Sequence, residues 1–325
     1  MLSWNHSYLR EVHHNMPRYK IILNPVSGMG TALKTLPAIE AYLKAHQIEY
    51  SVVLTEYPWH AAKLAEDAAK EGFDVVVAAG GDGTLNEVLN GLMASRSNGH
   101  PTAALATLPV GRGNDFSFSM GIPLELQAAC QNLAQNHRRT IDIGLVTSEL
   151  YPKGRYFGNG VGVGFDAMVG FVAAKQGISG FLGYLVAAVR TTFIYSPAPI
   201  MQIDLGHRTL SQPCLMVSIM NGRRMGGGFM MTPASQPDDD LLDLCIVAEV
   251  SKPTVFRIIP MFFKGTQARH AAVQMEQSQR ITIRAVKGTL PAHCDGETLC
   301  TAGSDITIQL LPKQLDLLVP QSKMP

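Results

Sequence analysis

Apolar positions along the first part of the chain follow two rhythms in turn. Short apolar runs stand at Tyr19–Leu23, Glu49–Thr55, Phe73–Ala79 and Thr102–Leu108. Between them the spacing changes to i, i+3, i+4: Leu33, Leu36, Ile39 and Leu43, then the alanines of 60–70, then Leu85, Val88, Leu89, Leu92 and Met93. The first kind of run predicts buried strands and the second amphipathic helices. Their alternation predicts parallel strands in a layered α/β sheet, where ligands gather at the carboxyl ends of the strands. After Asp142 the texture becomes short strand-like runs separated by Gly and Pro turns: Tyr156–Gly162, Met201–Leu205, Cys214–Ile219, Leu242–Val247, Ile281–Ala285 and Ile306–Leu310. These predict an antiparallel sandwich or barrel, with helical stretches near 165–195 and 253–264. The apolar segment Lys313–Pro320 is expected to pack back on the first unit. The division is therefore a mobile extension over 1–16, an α/β domain over 17–142 joined by 312–325, and a β-sandwich domain over 143–311.

Composition narrows the function classes. At 325 residues, two domains are the prior, and 46% hydrophobic content supports sizeable cores. A formal net charge of +1 gives no sign of nucleic-acid binding or of a polybasic membrane patch. Five scattered cysteines argue against a disulfide framework and for a reducing, cytoplasmic setting. The polar first 16 residues, with His6, His13 and His14, have no apolar core of a secretory signal, and Met16 stays open as an alternative start. The stretch Ile178–Ile200 is broken by Arg190, glycines and prolines, so no transmembrane segment is expected; the chain is soluble or peripheral at a membrane.

Three glycine-rich loops leave the carboxyl ends of the predicted strands: Asn24–Gly30, the loop Gly80-Gly81-Asp82-Gly83-Thr84, and Leu108–Phe116. Glycines at φ > 0 let the backbone approach a ligand, and consecutive N–H groups beside a helix N-terminus form a hollow for phosphate oxygens. A carboxylate in that hollow, Asp82, calls for a cation such as Mg²⁺ between the two. Thr84-x-x-Glu87 also fits a helix capping box. Farther on, Asp295 and Glu297 lie two apart, on one face if they sit on a strand, where repulsion would raise one pKa and make a base. Alone, Asp295-Gly296-Glu297 reads as a hairpin turn and Asp238-Asp239-Asp240 as a solvated loop. His293, Cys294 and Cys300 match no zinc spacing and read as packing residues. Phe181, Leu182, Leu185 and Val189 read as core before lipid-facing surface.

The motifs Asn24-Pro25-x-Ser27-Gly28, Gly80-Gly81-Asp82-Gly83-Thr84-x-Asn86-Glu87, Leu108-Pro109-x-Gly111-x-Gly113-Asn114-Asp115-Phe116, Asn221-Gly222, Gly226-Gly227-Gly228, Pro233-Ala234, Asp238-Asp239-Asp240 and Asp295-Gly296-Glu297 occur in one order. In this the chain resembles the diacylglycerol kinase catalytic family of lipid kinases. The resemblance implies an N-terminal domain similar to phosphofructokinase and NAD kinase, a C-terminal β-sandwich, and ATP in the cleft between them. It implies nucleotide contacts at Asn24, Ser27, Gly28, Thr55, Gly80, Gly81, Asp82, Gly83, Thr84, Leu85, Asn86, Arg112 and Asn114. It further implies Asp82 as organiser of Mg²⁺ and phosphate, and Glu297 as general base with Asp295 beside it. A second Mg²⁺ site is implied at Asp239 with the carbonyls of Gln236 and Leu241. Arg112 stands where the family usually has Thr, and Asp240 where it commonly has Gly. The expected activity is ATP-dependent phosphorylation of a lipid hydroxyl, diacylglycerol first, at a membrane surface. An NAD kinase-like enzyme and a non-catalytic lipid- or nucleotide-binding regulator are the alternatives, and the oligomeric state, homodimer included, is left open.

Overall fold

The computed structural model describes residues 17–149, 151–175, 180–195 and 197–321; the extension expected over 1–16 lies outside them. The first unit contains β1 (Arg18–Leu23), α1 (Ser27–Ala45), β2 (Glu49–Leu54), α2 (His60–Lys70), β3 (Val75–Gly80), α3 (Asp82–Ser97), β4 (Ala104–Pro109), α4 (Asp115–Ser119) and α5 (Leu126–Gln135). The strands pair in parallel in the order β2-β1-β3-β4. Every residue of β3 and β4 is buried, as a sheet covered on both faces requires. Val76 and Ala78 pack with the alanines of α2 and the apolar side of α3, whereas Val75, Val77 and Ala79 pack with α1 and α5.

The second unit contains β5 (Arg138–Ser148), β6 (Tyr151–Phe157), β7 (Gly160–Gly164), α6 (Phe165–Lys175), α7 (Gly180–Ile194), β8 (Ile200–Asp204), β9 (Thr209–Met220), β10 (Arg224–Met225), β11 (Phe229–Met230), β12 (Leu242–Ala248), α8 (Lys252–Lys264), β13 (Val273–Ser278), β14 (Arg280–Lys287), β15 (Leu290–Cys294), β16 (Glu297–Gly303) and β17 (Asp305–Leu318). It is an antiparallel β-sandwich. The first half of β9 pairs with β8 and its second half with β7 and β12, so this one strand serves both sheets. The single run expected over Tyr156–Gly162 is two strands, because the backbone of Gly158 and Asn159 turns out of the ladder toward Asp295.

Two long strands join the units. β5 and β17 pair antiparallel from Ile306↔Ser148 to Leu318↔Arg138, with a register shift between Leu311 and Leu315. Leu317 also pairs in parallel with Leu105, which brings the end of β17 into the first unit's sheet. At the shift Lys313 adopts φ 51°, and the buried Asp142 carboxylate accepts its N–H at 2.8 Å and that of Asp240 at 2.9 Å. The divisions at 142/143 and 311/312 thus fall inside continuous strands, and the units share hydrogen-bonded backbone. All five cysteines are buried free thiols. Among the described residues no helix is long and apolar enough to cross a membrane.

The contact of α2 with α3 is a backbone contact. A Cβ on Gly91 would lie 2.0 Å from the Ala62 carbonyl oxygen. Gly91→Ala is expected to cost about 1–3 kcal/mol in urea unfolding, since neither helix can move without opening the core beneath it. An unchanged midpoint would contradict this packing.

Candidate active site

The three glycine-rich loops meet at one end of the parallel sheet. Asn24 joins the first to the second: its Nδ2 donates to Thr84 Oγ1 at 3.0 Å, while its Oδ1 accepts the Val26 N–H. Gly28, Met29 and Gly30 all have φ between 59° and 83°, a left-handed run that wraps the first loop before the regular turns of α1 begin. The second and third loops touch backbone to backbone, so that a Cβ on Gly111 would lie 2.3 Å from Gly81 Cα. Gly80, Gly81 and Gly83 are not among the positive-φ residues. At Gly80 and Gly81 the lack of a side chain serves close packing, against Thr84 and Gly111, rather than the unusual dihedrals expected of them. Ser27 and Thr55 lie at the starts of their loops, Ser27 N–H on Asn24 O and Thr55 N–H on Leu23 O. Asn114, at φ 51°, donates Nδ2 to Gly111 O and Pro109 O, and Arg112 is exposed on the rim.

The expected capping box does not form. α3 starts at Asp82 with Gly81 in the capping position and no side-chain cap. Thr84 is taken by Asn24, and Glu87 accepts the N–H of Ala61 at 3.1 Å in the first turn of α2.

The hairpin β15–β16 turns through Asp295 and Gly296 at φ 47° and 87°, with Cys294 opposite Glu297. Both turn residues are left-handed, as a two-residue hairpin demands. Asp295 and Glu297 are therefore not neighbours on one strand face. The Asp295 carboxylate is buried and accepts four N–H donors: Asn86 Nδ2 at 2.9 Å, Gly158 at 3.1 Å, Asn159 at 3.1 Å and Gly160 at 2.8 Å. With both oxygens so engaged it anchors the hairpin rather than standing beside Glu297 as a second base. Asn86, expected as a nucleotide contact, is fully buried and spends its amide on Asp295 and the Tyr156 carbonyl, so it braces the two units. Leu85 is also buried, on the wall of an apolar cavity.

Glu297 is exposed to the cleft, and a methyl group on Gly83 would sit 3.4 Å from its Oε1. The hairpin thus holds Glu297 against Gly83 in the opening turn of α3. Asp82 Oδ1 accepts the Phe116 N–H at 3.0 Å, and a Cβ on Gly113 would meet its Oδ2 at 2.9 Å. Next to it Asp115 pairs with Arg224 across the units, Nε to Oδ1 at 2.7 Å, and accepts the Gly227 N–H at 2.8 Å. The Arg224 guanidinium also donates to Gly113 O and lies 3.9 Å over the Phe118 ring. Burial, followed by repulsion from Asp115, pushes the Asp82 pKa up to about 7, against the pull of the Phe116 N–H. Burial likewise raises Asp115, opposed by Gly227 and Arg224. A divalent cation such as Mg²⁺, which prefers hard oxygen ligands, would relieve the unfavourable ionisation at Asp82, whereas both oxygens of Asp115 are already held by Arg224 and Gly227.

These carboxylates stand at one end of a cavity of about 420 Å³. Its body is apolar, walled by Phe165, Val169, Ala188, Met216, Phe229 and Phe262. Its polar end carries Asp82, Asp115, Asp166, His293 and Asp295, with Gly296 and Thr298 flanking Glu297. Half-buried Tyr184 joins them, its hydroxyl pushed up to about 12 by burial and then by Asp115 and Asp82. His293, expected only to pack, has Nδ1 on the Gly296 N–H and Nε2 3.7 Å from Asp166, which also accepts the Ser218 hydroxyl.

The other expected metal site is more open. Asp239 and Gln236 are exposed, and Asp239 Oδ1 accepts the Leu241 N–H at 3.1 Å. Burial, with Asp142 and Asp238 close by, raises the Asp239 pKa, while Asp238 itself is paired with Arg139. Among the described residues no group of three or more His, Cys, Asp or Glu is arranged around an ion. One carboxylate and the carbonyls of Gln236 and Leu241 remain an all-oxygen set suited to Mg²⁺.

Sequence reasoning passed over Asp115, Arg224, Asp166 and Tyr184. Asp115 carried the same signal as Asp82, a carboxylate inside a loop read as a phosphate hollow. Arg224 gave none, because its partner lies more than a hundred residues away.

The family model for the diacylglycerol kinase catalytic domain matches residues 18–146, and that for the YegS C-terminal NAD kinase beta sandwich-like domain matches 159–319. A diacylglycerol kinase of Mycobacterium tuberculosis (strain ATCC 25618 / H37Rv) is 25% identical over 95% of this chain and 97% of its own length. One from Bacillus subtilis (strain 168) is 28% identical over 87% and 90%. In fold the chain is similar to a crystal structure from Bacillus anthracis str. Sterne described as a candidate diacylglycerol kinase, with TM-score 0.75, 22% identity and coverage of 94% and 98%. It is also similar to an NAD kinase from Archaeoglobus fulgidus in complex with ATP, with TM-score 0.52, 14% identity and coverage of 94% and 95%.

Two outcomes follow from this geometry. Asp295→Ala strands several buried N–H donors and is expected to cost about 3 kcal/mol in denaturant unfolding, whereas Glu297→Gln should stay within about 0.5 kcal/mol of the parent. Equal stabilities would contradict the anchor role. Asp82 binds its proton more tightly folded than unfolded, so its stabilising contribution is complete below about pH 4 and is lost as pH rises through about 7. Without divalent cations, Asp82→Asn should therefore exceed the parent in stability by on the order of 1–2 kcal/mol at pH 8 and by little near pH 4. A difference independent of pH would contradict the raised pKa.

Proposed function

Because the chain belongs to the diacylglycerol kinase catalytic family, we propose that it is an ATP-dependent lipid kinase that transfers the γ-phosphate to a lipid hydroxyl, diacylglycerol being the first acceptor to test. The observation that carries this reading is the meeting of three backbone-lined loops at one end of the parallel sheet, with Asp82 of the second loop on the wall of an apolar cavity and Glu297 against Gly83 of the same loop. Phosphoryl transfer asks mainly for positioning and charge neutralisation, together with removal of one proton from the acceptor alcohol.

Each requirement has a candidate in this chain. The loops at Asn24–Gly30, Gly80–Thr84 and Gly111–Asn114 offer N–H groups to the triphosphate. Asp82 would hold Mg²⁺, which supplies neutralisation of phosphate charge when bound, while Asp115 ties Arg224 and Gly227 of the second unit to the loop beside it. Asp239 with the Gln236 and Leu241 carbonyls would hold a second ion at the junction of the units. Glu297, the exposed carboxylate beside Gly83, takes the hydroxyl proton as the phosphate is transferred. The apolar cavity takes hydrocarbon of the acceptor. Its lining favours a lipid over NAD, whose polar sugars and phosphates would be stripped of water against Phe165, Phe229 and Phe262 without compensation. Retention of Asp82 and Glu297 argues against a non-catalytic regulator.

Glu297→Gln, with fold and ATP binding unchanged, is expected to lower kcat for lipid phosphorylation by about 10²–10⁴-fold while leaving KM for ATP near the parent value. Activity equal to the parent would remove Glu297 as the base.

A further inference from the structure

Arg155, on β6, is only 5% exposed, and its Nε is buried without a partner. Among the described residues no oxygen accepts a hydrogen bond from its guanidinium and no carboxylate pairs with it. Arg139 and Arg224, both less buried, are each paired with an aspartate. Arginine does not shed its proton, so this charge is buried and uncompensated. What it has is a ring. The guanidinium carbon stacks 4.4 Å from the centroid of Trp59, a residue of the other unit. Trp59 is half-exposed and holds φ 67°, a left-handed backbone that bulky residues rarely adopt. Stacking on one ring does not replace the hydration that the ion has lost.

Three elements enclose Arg155, and each carries a group of the candidate site. Trp59 ends the loop that leaves β2 through Thr55 and caps α2. The neighbouring Tyr156 is clamped to α3, its N–H on Asn90 and its carbonyl taken by Asn86 and Asn90. The Arg155 charge also reaches Cys294, where it opposes Glu297, the residue across the hairpin from that thiol. Neither Arg155 nor Trp59 is among the residues that line the apolar cavity. The missing counterion therefore belongs to the nucleotide side of the cleft, and a neutral lipid alcohol would not supply one.

We propose that Arg155 is a phosphate-binding residue, its guanidinium pairing with oxygens of the triphosphate that the glycine loops hold, and that Trp59 covers it until that anion arrives. The assignment rests on the lipid-kinase reading, but it is measured by binding alone, without acceptor or turnover.

The test uses the full chain carrying Trp4→Phe, which leaves Trp59 as its one tryptophan. At constant ionic strength and without Mg²⁺, tripolyphosphate and ATP should each change the Trp59 emission saturably, and adenosine should not. Arg155→Met should raise the Kd for both by about 10–100-fold, with Arg155→Lys recovering part of the loss. The urea midpoint of unliganded Arg155→Met should equal or exceed the parent's, because an uncompensated ion is removed; a guanidinium serving only as a strut would lose stability and leave anion affinity alone. Should Arg155→Met fail to fold, Arg155→Lys and the Trp59 titration of the otherwise unaltered chain carry the test. Tripolyphosphate affinity equal in parent and variants, a Trp59 that tripolyphosphate leaves silent, or loss of short-chain phosphatidate binding with ATP binding intact would each overturn the proposal alone. A parent that binds neither ATP nor tripolyphosphate would overturn it together with the lipid-kinase reading.

Discussion

The Asp295 carboxylate, buried where the two units meet, accepts N–H groups from both of them: Asn86 on one side, and Gly158, Asn159 and Gly160 on the other. A lone carboxylate would be costly there, and the four donors offset part of a desolvation that still pushes its pKa up. The spacing of the site is inherited from this knot. Asn86 lies one turn into the helix that Asp82 opens, and Glu297 leaves the hairpin that Asp295 turns. Fixing Asp295 therefore fixes the distance between the proposed metal-holding and proton-accepting groups, without either having to be rigid itself.

The strain of the site lies one shell away. Asp82 and Asp115 are close, poorly solvated and only partly compensated, Asp115 by Gly227 and Arg224 and Asp82 by the backbone N–H groups of Phe116 and Asn114. A fold selected for stability alone would neutralise one of them. Keeping both leaves a concentration of negative charge that a cation can relieve, the usual exchange of stability for readiness to bind. The bridging strands β5 and β17 carry the matching feature at the far side of the junction, where Asp142 closes the register shift by accepting N–H groups of Lys313 and Asp240.

Much of the fold was legible because it rests on local periodicity. The apolar runs at Tyr19, Glu49, Phe73 and Thr102 are the four parallel strands, and the i, i+4 pattern after Gly83 is the helix that buries Val88 and Leu92. The glycine loops were legible as a group, but the reason for their glycines was not. Dihedral freedom accounts for Gly28 and Gly30, while Gly81 and Gly111 are needed because two backbones touch, a fact of tertiary distance. The pairing of Asn86 with Asp295 was hidden for the same reason. In a linear motif a polar residue beside a phosphate loop looks like a ligand contact, and only the fold shows that these two are partners over 209 positions. Leu182 on α7 posed the converse difficulty, since apolar helical spacing reads as core until the third dimension leaves a side chain exposed.

The central claim is that this cleft moves a phosphoryl group from ATP to a hydroxyl at the mouth of an apolar cavity. The most direct test is transfer of label from γ-labelled ATP with Mg²⁺, run in parallel on a panel of hydroxyl-bearing lipids in mixed micelles and on NAD. The account predicts a labelled lipid phosphate, diacylglycerol being the first acceptor examined, and no labelled NADP. Label entering NAD while every lipid hydroxyl stays unlabelled would contradict it.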